Sequence, residues 1–356
     1  MHESRSLPAT SHRNNFDLLR FVFAFIVFVY HVHVLSARPE LAGLSRWFSA
    51  EFAVESFFVV SGFLVFMSYE NSRTVGDYFA KRARRIYPAY FAVVVIAALG
   101  GALITTLPAS EYFSAEWLRY VGANLAFLNF VAPNLPGVFQ SNPWHAVNGA
   151  LWTLKIEVMF YFVVPAIAIV CARLGRVRVL AALYVLSVGY ALWMGYLGST
   201  TGRELYVQLG RQLPGQLSYF LAGAACFYFS DAFRRHWWWS VPLALILLLV
   251  PLPHTLDAAL EPAALGVFVS YLAVGTRYLG NFGRFGDFSY GIYIIHFPVL
   301  QALVAFGVFG ASAYLGLGIA TVLVLVLAFA SWHLVEKPFL RKSSHYVVAE
   351  QAFKRA

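Results

Sequence analysis

A chain of 356 residues carries 12% charged residues, 60% hydrophobic residues and a formal net charge of +9. A soluble domain of this size coats itself with about 25% Asp, Glu, Lys and Arg, so half that coat, together with 33 Phe, 20 Tyr and 9 Trp, excludes an ordinary cytosolic protein. Moderate Gly and Pro and only two Cys exclude collagenous, disordered and disulfide-stapled chains, which leaves an all-α polytopic membrane protein.

A membrane helix needs about 20 mostly apolar residues. In chain order about ten stretches qualify: 16–37, 52–70, 86–107, 151–171, 179–197, 212–230, 237–253, 262–276, 288–309 and 311–334. The sixth and eighth are short or broken by Pro. With residue 1 placed in the cytoplasm, twenty of the 26 Lys and Arg fall on the cytoplasmic side, from Arg5 and Arg13 to Lys354 and Arg355. Arg38, Arg46, Arg119, Arg203 and Arg211 fall outside, and Lys155 lies within a span. This asymmetry predicts both termini in the cytoplasm, with an N-terminal segment 1–15, a transmembrane domain 16–340 and a tail 341–356. The basicity is therefore a topology signal, and no nucleic-acid partner is expected.

Residues 116–130 are apolar enough to suggest an eleventh span, but counting it would turn Arg173, Arg176 and Arg178 outward. The pattern predicts instead an outer loop over 108–150, with a membrane-hugging helix and then an Asn-, Pro- and Trp-rich stretch. A long loop of this kind is often functional, so it is a candidate lid or acceptor-binding region. The first span is too long, and too polar at Asp17, Arg20, His31 and His33, for a cleaved signal peptide. Cys171 and Cys226 lie near cytoplasmic helix ends, where a disulfide is not expected.

A titratable side chain inside a span costs about 2.5–3.5 kcal/mol, so each one asks for a function. Arg20 and His31 are eleven residues apart, which puts them within about 20° of one helix face and about 16 Å apart along it. Asp17 joins the same stripe. A snorkelling Arg20 paired with Asp17, beside a packed His31, is the bland alternative. In the second span Ser61-Gly62 allows close approach by a helix or a ligand. The KRARRIYPAY segment puts Arg82 and Arg85 at i, i+3 on one face, suited to bidentate phosphate contacts. Topology anchoring would account for Lys81 and Arg84. In the fourth span Glu157 lies about 7–8 Å in from the outer end, a depth matching that expected for His31, with Thr153 and Tyr161 on its face. In the ninth span Tyr293 and His296 precede Pro298, which frees a carbonyl of the preceding turn. A structural kink with a satisfied His296 is the competing reading. Glu336 and Lys337 read as a clamp on a helix end.

These segments together resemble the membrane acyltransferase family 3, integral-membrane O-acyltransferases that modify bacterial surface sugars. The matching pieces are NFDLLRFVFAFIVFVYH, FFVVSGFL, KRARRIYPAY, LWTLKIEVMFYFVVP, SYGIYIIHFP and VEKPF, in family order across residues 14–340. The LWTLKIE form looks closest to exopolysaccharide-modifying members. The resemblance implies that acetyl-CoA or another acyl-CoA, a co-substrate rather than a resident cofactor, binds from the cytoplasm. It implies that the acyl group passes to a carbohydrate hydroxyl at the outer face of a bacterial inner membrane. It also implies that Arg20 and His31 form the essential first-span pair and that Arg82 and Arg85 match the donor-binding Arg-x-x-Arg. Ser61, Gly62, Glu157, Tyr293 and His296 occupy further motif positions. In one departure, Glu55-Ser56 precede Phe57-Phe58 where family members often have Asp two residues before the Phe pair. No appended soluble esterase-like domain is apparent, so a one-domain transfer mechanism is expected.

The combined expectation takes His31 as general base, with a transient acyl-His as its variant. Arg20, Arg82, Arg85, Ser61 and Gly62 would hold the donor, and Glu157 would orient His31 or the acceptor. Trp144 and Trp152 would stack on sugar rings, and Asp17, Tyr293 and His296 would support the site. No metal is called for. Expected partners are acyl-CoA, a carbohydrate acceptor and membrane lipid, with a second copy or polysaccharide-assembly proteins as further candidates. The rival class is a proton-coupled transporter or a flippase of a lipid-linked sugar, which also uses intramembrane Arg, His and Glu. No inverted repeat or paired broken helices favour it.

Overall fold

In the computed structural model, which describes residues 14–342, 344, 346 and 347, eight helices are long and apolar enough to cross a membrane. Arg5, Arg13, Lys354 and Arg355, with most of the predicted terminal segments, lie outside the described residues. The long helices are α1 (Phe16–Ser36), α2 (Ala50–Glu70), α3 (Val75–Gly100), α4 (Ala115–Leu125), α5 (Trp152–Leu174), α6 (Arg176–Thr201), α7 (Leu213–Tyr228), α8 (Ser230–Leu249), α9 (His254–Val274), α10 (Phe288–Ala305) and α11 (Ala313–Ser331). No strand occurs among the described residues. All but α4, α7 and α8 belong to the eight. The 16-residue α7 matches the sixth predicted stretch, and α8 the seventh, with Arg234, Arg235, His236 and Trp237 in its first two turns. Cys171 and Cys226 are both free thiols.

The third span begins earlier than its apolar run. Thr74 caps α3 by accepting from the Asp77 amide at 3.0 Å, so the KRARR cations lie inside the helix rather than at its edge.

Prolines inside these helices each free the carbonyl four residues earlier, and at two of them a side chain from another element fills the gap. Pro165 frees Tyr161 O, which accepts from Tyr78 Oη at 3.1 Å. Pro298 frees Ile294 O, which accepts from Asn148 Nδ2 at 2.8 Å. In hydrocarbon no water can take that role.

The Asn148 contact reveals a departure from the expected loop. Helix α4 does not lie across a surface but runs antiparallel down α3. Trp117 Nε1 donates to Ala98 O at 2.9 Å, Tyr90 Oη donates to Asn124 O at 2.6 Å, and Phe127 stacks on Tyr90 with ring centroids 4.2 Å apart. From Ala98 to Tyr90 is about 12 Å of descent. The returning chain is irregular; Phe130, Val131 and Trp144 are exposed, while Leu135, Val138, Phe139, Asn142, Val147 and Asn148 are buried in protein, where such backbone is tolerated at membrane depth. Asn124 Nδ2 donates to Ala132 O at 2.9 Å, and buried Gln301 Nε2 donates to Trp144 O and Ala146 O, both at 2.7 Å. Helix α5 consequently starts inside the bundle, with Gly149 packed under the Phe297 ring.

At the centre α10 lies between α1 and α11. Helices α2 and α7 cross so closely that a methyl group on Gly62 would run into Phe220 O, and one on Gly223 into Val59 O.

Candidate functional site

A cavity of about 610 Å³ opens at the basic end of the bundle, where α1, α3 and α10 begin and α2 ends. Along α2 its wall runs from Asn71 to Val54, about 25 Å of helix rise against a hydrocarbon core of about 30 Å. Its inner walls come from α2, α5 and α10, while α1 contributes Phe16, Asp17 and Arg20 at the mouth. The route inward therefore follows α2 rather than the Arg20–His31 stripe suggested by helical spacing.

At the mouth two arginines share one carboxylate. Arg20 and Arg85 both pair with buried Asp287, which also accepts from the Ser289 amide at 3.1 Å and from its hydroxyl. Arg85 reaches Glu336 at 3.2 Å, and Ser331 Oγ donates to that carboxylate at 2.9 Å. Arg20 also donates to Tyr346 Oη at 2.6 Å, and the Tyr346 ring lies 5.1 Å from the Arg85 guanidinium. Burial pushes the Asp287 carboxyl up, but Arg20 and Arg85 outweigh burial and hold it well below the usual carboxylate range. Stripping a buried pair of one partner costs about 3–5 kcal/mol, so this network fixes both arginines in place.

Arg82 is held differently. It donates to Ser68 Oγ at 3.0 Å and lies 5.7 Å from the Tyr161 ring. Its Nε is buried without a hydrogen-bond partner among the described residues, as is the hydroxyl of Ser61 further along the same cavity. Among the described residues no carboxylate pairs with Arg82. Tyr161 Oη donates to Glu157 Oε1 at 2.5 Å, which ties Glu157 to this basic region.

Beyond the cavity's inner end two histidines meet. His31 Nδ1 lies 2.9 Å from Val27 O and 3.2 Å from His296 Nε2, and His296 Nδ1 lies 3.0 Å from Ile292 O. A carbonyl can only accept, so the Nδ1 of each ring carries the hydrogen. His296 Nε2 is then a lone pair that shares the His31 Nδ1–H, and His31 Nε2 is left as an unprotonated base. Tyr293 joins cavity and pair: it lines the cavity, bonds Thr153 at 2.6 Å, and its ring centroid lies 6.0 Å from that of His296.

Three expectations change. Glu157 and His31 do not share a depth, because α5 starts inside the bundle and meets α10 at Tyr293, a turn short of His296. Glu157 lies a further turn toward the basic end, roughly 10 Å below His296 along the axis. The expected donor contact of Gly62 is replaced by helix packing, since its Cα faces Phe220 in the α2–α7 crossing. Glu336, expected to clamp a helix end, is turned inward by a π-helical turn over Trp332–Glu336 and meets Arg85. Asp17, Arg20, Ser61, Arg82, Arg85, Glu157 and Tyr293 do share the cavity. Trp152 is half-buried in the first turn of α5, and Trp144 is half-exposed on the loop. Asp287 and Tyr346 were missed by sequence reasoning. Asp287 had one signal, as an acidic cap two residues before Ser289 at the start of an apolar run.

A family model described as an acyltransferase domain matches residues 13–333. Over 345 residues the chain is 29% identical to an O-acetyl transferase of Shigella phage Sf6, covering 94% of this chain and 98% of that one. It is also 29% identical to nodulation protein 10 of Rhizobium leguminosarum bv. viciae, covering 94% and 95% of the two chains. An exopolysaccharide production protein of Rhizobium meliloti (strain 1021) is 27% identical, with 81% and 89% covered. No solved structure matches the chain.

Proposed function

The chain belongs to the acyltransferase 3 family and is a membrane O-acyltransferase, and from that premise we propose that it moves an acyl group, acetyl by default, from a cytoplasmic acyl-CoA to a hydroxyl of a carbohydrate at the opposite membrane face. The single observation that carries this reading is the cavity running from Arg20, Arg82 and Arg85 to Tyr293, beside the His31–His296 pair. Arginine suits the diphosphate of the donor, and Arg82 Nε and Ser61 Oγ are buried polar groups that no other described residue satisfies. The length of the cavity suits an extended arm that delivers a thioester across most of the hydrocarbon. The names of the relatives from phage and Rhizobium support acetyl as the group and a surface polysaccharide as the acceptor class.

In the proposed reaction His31 Nε2 takes the proton of the acceptor hydroxyl as its oxygen attacks the thioester carbonyl. The new C–O bond forms, the C–S bond breaks, and the proton passes from His31 to the departing thiolate, giving ester and free CoA thiol. No charge or proton is left over. Glu157 and Tyr161 act at the donor end, since their place on the cavity wall lies on the basic side of Tyr293.

The test is thiol release from acetyl-CoA by the purified protein with an added glycan acceptor, and the matching mass gain on the glycan. Both are expected for the wild type and neither for His31→Ala. Movement of unmodified sugar across a vesicle without thiol release would support a transporter and overturn the proposal.

A further inference from the structure

We infer that His296 is a positioning residue for acyl transfer: its Nε2 lone pair accepts the Nδ1–H of His31 and so fixes His31 Nε2 as the base. The inference rests on His31 being the base and adds what holds it in that form.

His296 is fully buried, with the rings of Phe28, Tyr293 and Phe297 around it at centroid distances of 6.4, 6.0 and 6.3 Å. An imidazole in such surroundings costs stability unless its nitrogens are satisfied. One nitrogen is satisfied by its own helix at Ile292 O, and the other meets His31. An apolar ring would fill the same space without a polar group to satisfy, so packing gives no reason for a histidine at this position. Its remaining feature is the lone pair turned toward His31. The two rings are tilted by 36° with centroids 5.1 Å apart, which keeps the nitrogens facing rather than stacked.

The consequence for the reaction is direct. Free imidazole exchanges its proton between two nitrogens, and a base whose Nε2 carries the hydrogen is inactive toward the acceptor. Val27 O and His296 Nε2 together hold the hydrogen on Nδ1 of His31. When Nε2 takes the acceptor proton, the ring becomes cationic in a region where, among the described residues, no carboxylate contacts it. The Nδ1–H bond to His296 strengthens as that charge appears, so it stabilises the transition state more than the ground state. His296 itself neither gains nor loses a proton.

Three variants of the full chain in detergent or nanodiscs test this. His296→Phe keeps the ring volume and removes the acceptor; kcat is expected to fall by about 100-fold or more, with KM for both substrates unchanged. His296→Gln puts an amide oxygen near the former Nε2 and is expected to recover kcat to within about 10-fold of wild type. Equal losses in Phe and Gln, a wild-type rate in Phe, or a loss confined to KM would overturn the inference. His31→Ala separates the two readings: activity surviving it removes the base itself, whereas an inactive His31→Ala beside a fully active His296→Phe removes only the role of His296. A spectroscopic measurement reads the tautomer in the wild-type protein itself. In the nitrogen-15 spectrum of histidine-labelled wild type, assigned by loss of the signal in His31→Gln, His31 is expected with hydrogen on Nδ1 and a bare Nε2. The opposite tautomer would sink the proposal.

Discussion

The two ends of the cavity solve opposite problems. At the mouth, Arg20 and Arg85 are buried with Asp287 and Glu336, so charges balance charges drawn from different helices. Beyond the inner end, His31 and His296 face each other with a hydrogen bond and, among the described residues, no counter-ion in contact. On the proposed reading, a region that holds and releases an anionic donor keeps fixed cations on internal carboxylates. On the same reading, a region that takes and returns a proton keeps its groups neutral and hydrogen-bonded. The protein would thus, on the proposed reading, use charge for binding and lone pairs for chemistry, with Tyr293 at the join.

Changes at either end should therefore fail in different measurements. The largest effect is expected from His31→Ala, with kcat for thiol release falling by about 10²–10⁴-fold while acyl-CoA binding by calorimetry stays within error. Loss of binding there would mean that the two ends are not separate. Asp287→Ala leaves two buried guanidiniums without their shared carboxylate and is expected to cost about 3–5 kcal/mol, read as a lower thermal midpoint in detergent. Arg82→Ala removes a cation with no described carboxylate to strand, so the fold should be unaffected. Donor KM should rise by about 10- to 100-fold, with kcat preserved at saturation. Asn148→Ala removes the bond that repairs the Pro298 gap and is expected to cost about 1–3 kcal/mol, seen as faster hydrogen exchange at the start of α5. Acidification gives the smallest change. The folded Asp287 carboxyl titrates below its unfolded value, so its contribution is present above the ordinary carboxylate range and lost only as pH falls through the depressed folded value. Between about pH 5 and pH 8 the Asp287 carboxyl itself should contribute no step to the thermal midpoint.

The apolar runs made the helices legible, because twenty-odd residues without a charge have few other uses. Arg20, Arg82, Glu157 and Tyr293 were legible for the converse reason, being polar where polarity is costly. Asp287, Glu336 and Tyr346 lie beyond helix ends or at them, where a charged or polar residue is cheap and carries no alarm. The depth of α5 was misjudged because a helix that starts on a loop was assumed to start at the membrane surface. Nothing local marks a loop that enters the bundle; Asn148 is informative only once Ile294 O is known to need a donor. Gly62 was ambiguous for a related reason, since a missing side chain serves a helix and a ligand equally well, and Phe220 decides between them.

By itself the sequence determined the membrane class, the helical segments and the short roster of residues too expensive to be there by chance. The cost of a titratable group in hydrocarbon belongs to that residue and its span, so it can be read one residue at a time. Only the tertiary structure decided the pairings: Arg20 with Asp287, 267 residues apart, and His31 with His296, 265 residues apart. A hydrogen bond needs two groups within about 3 Å of each other, a condition set by how helices pack and not by what either helix contains.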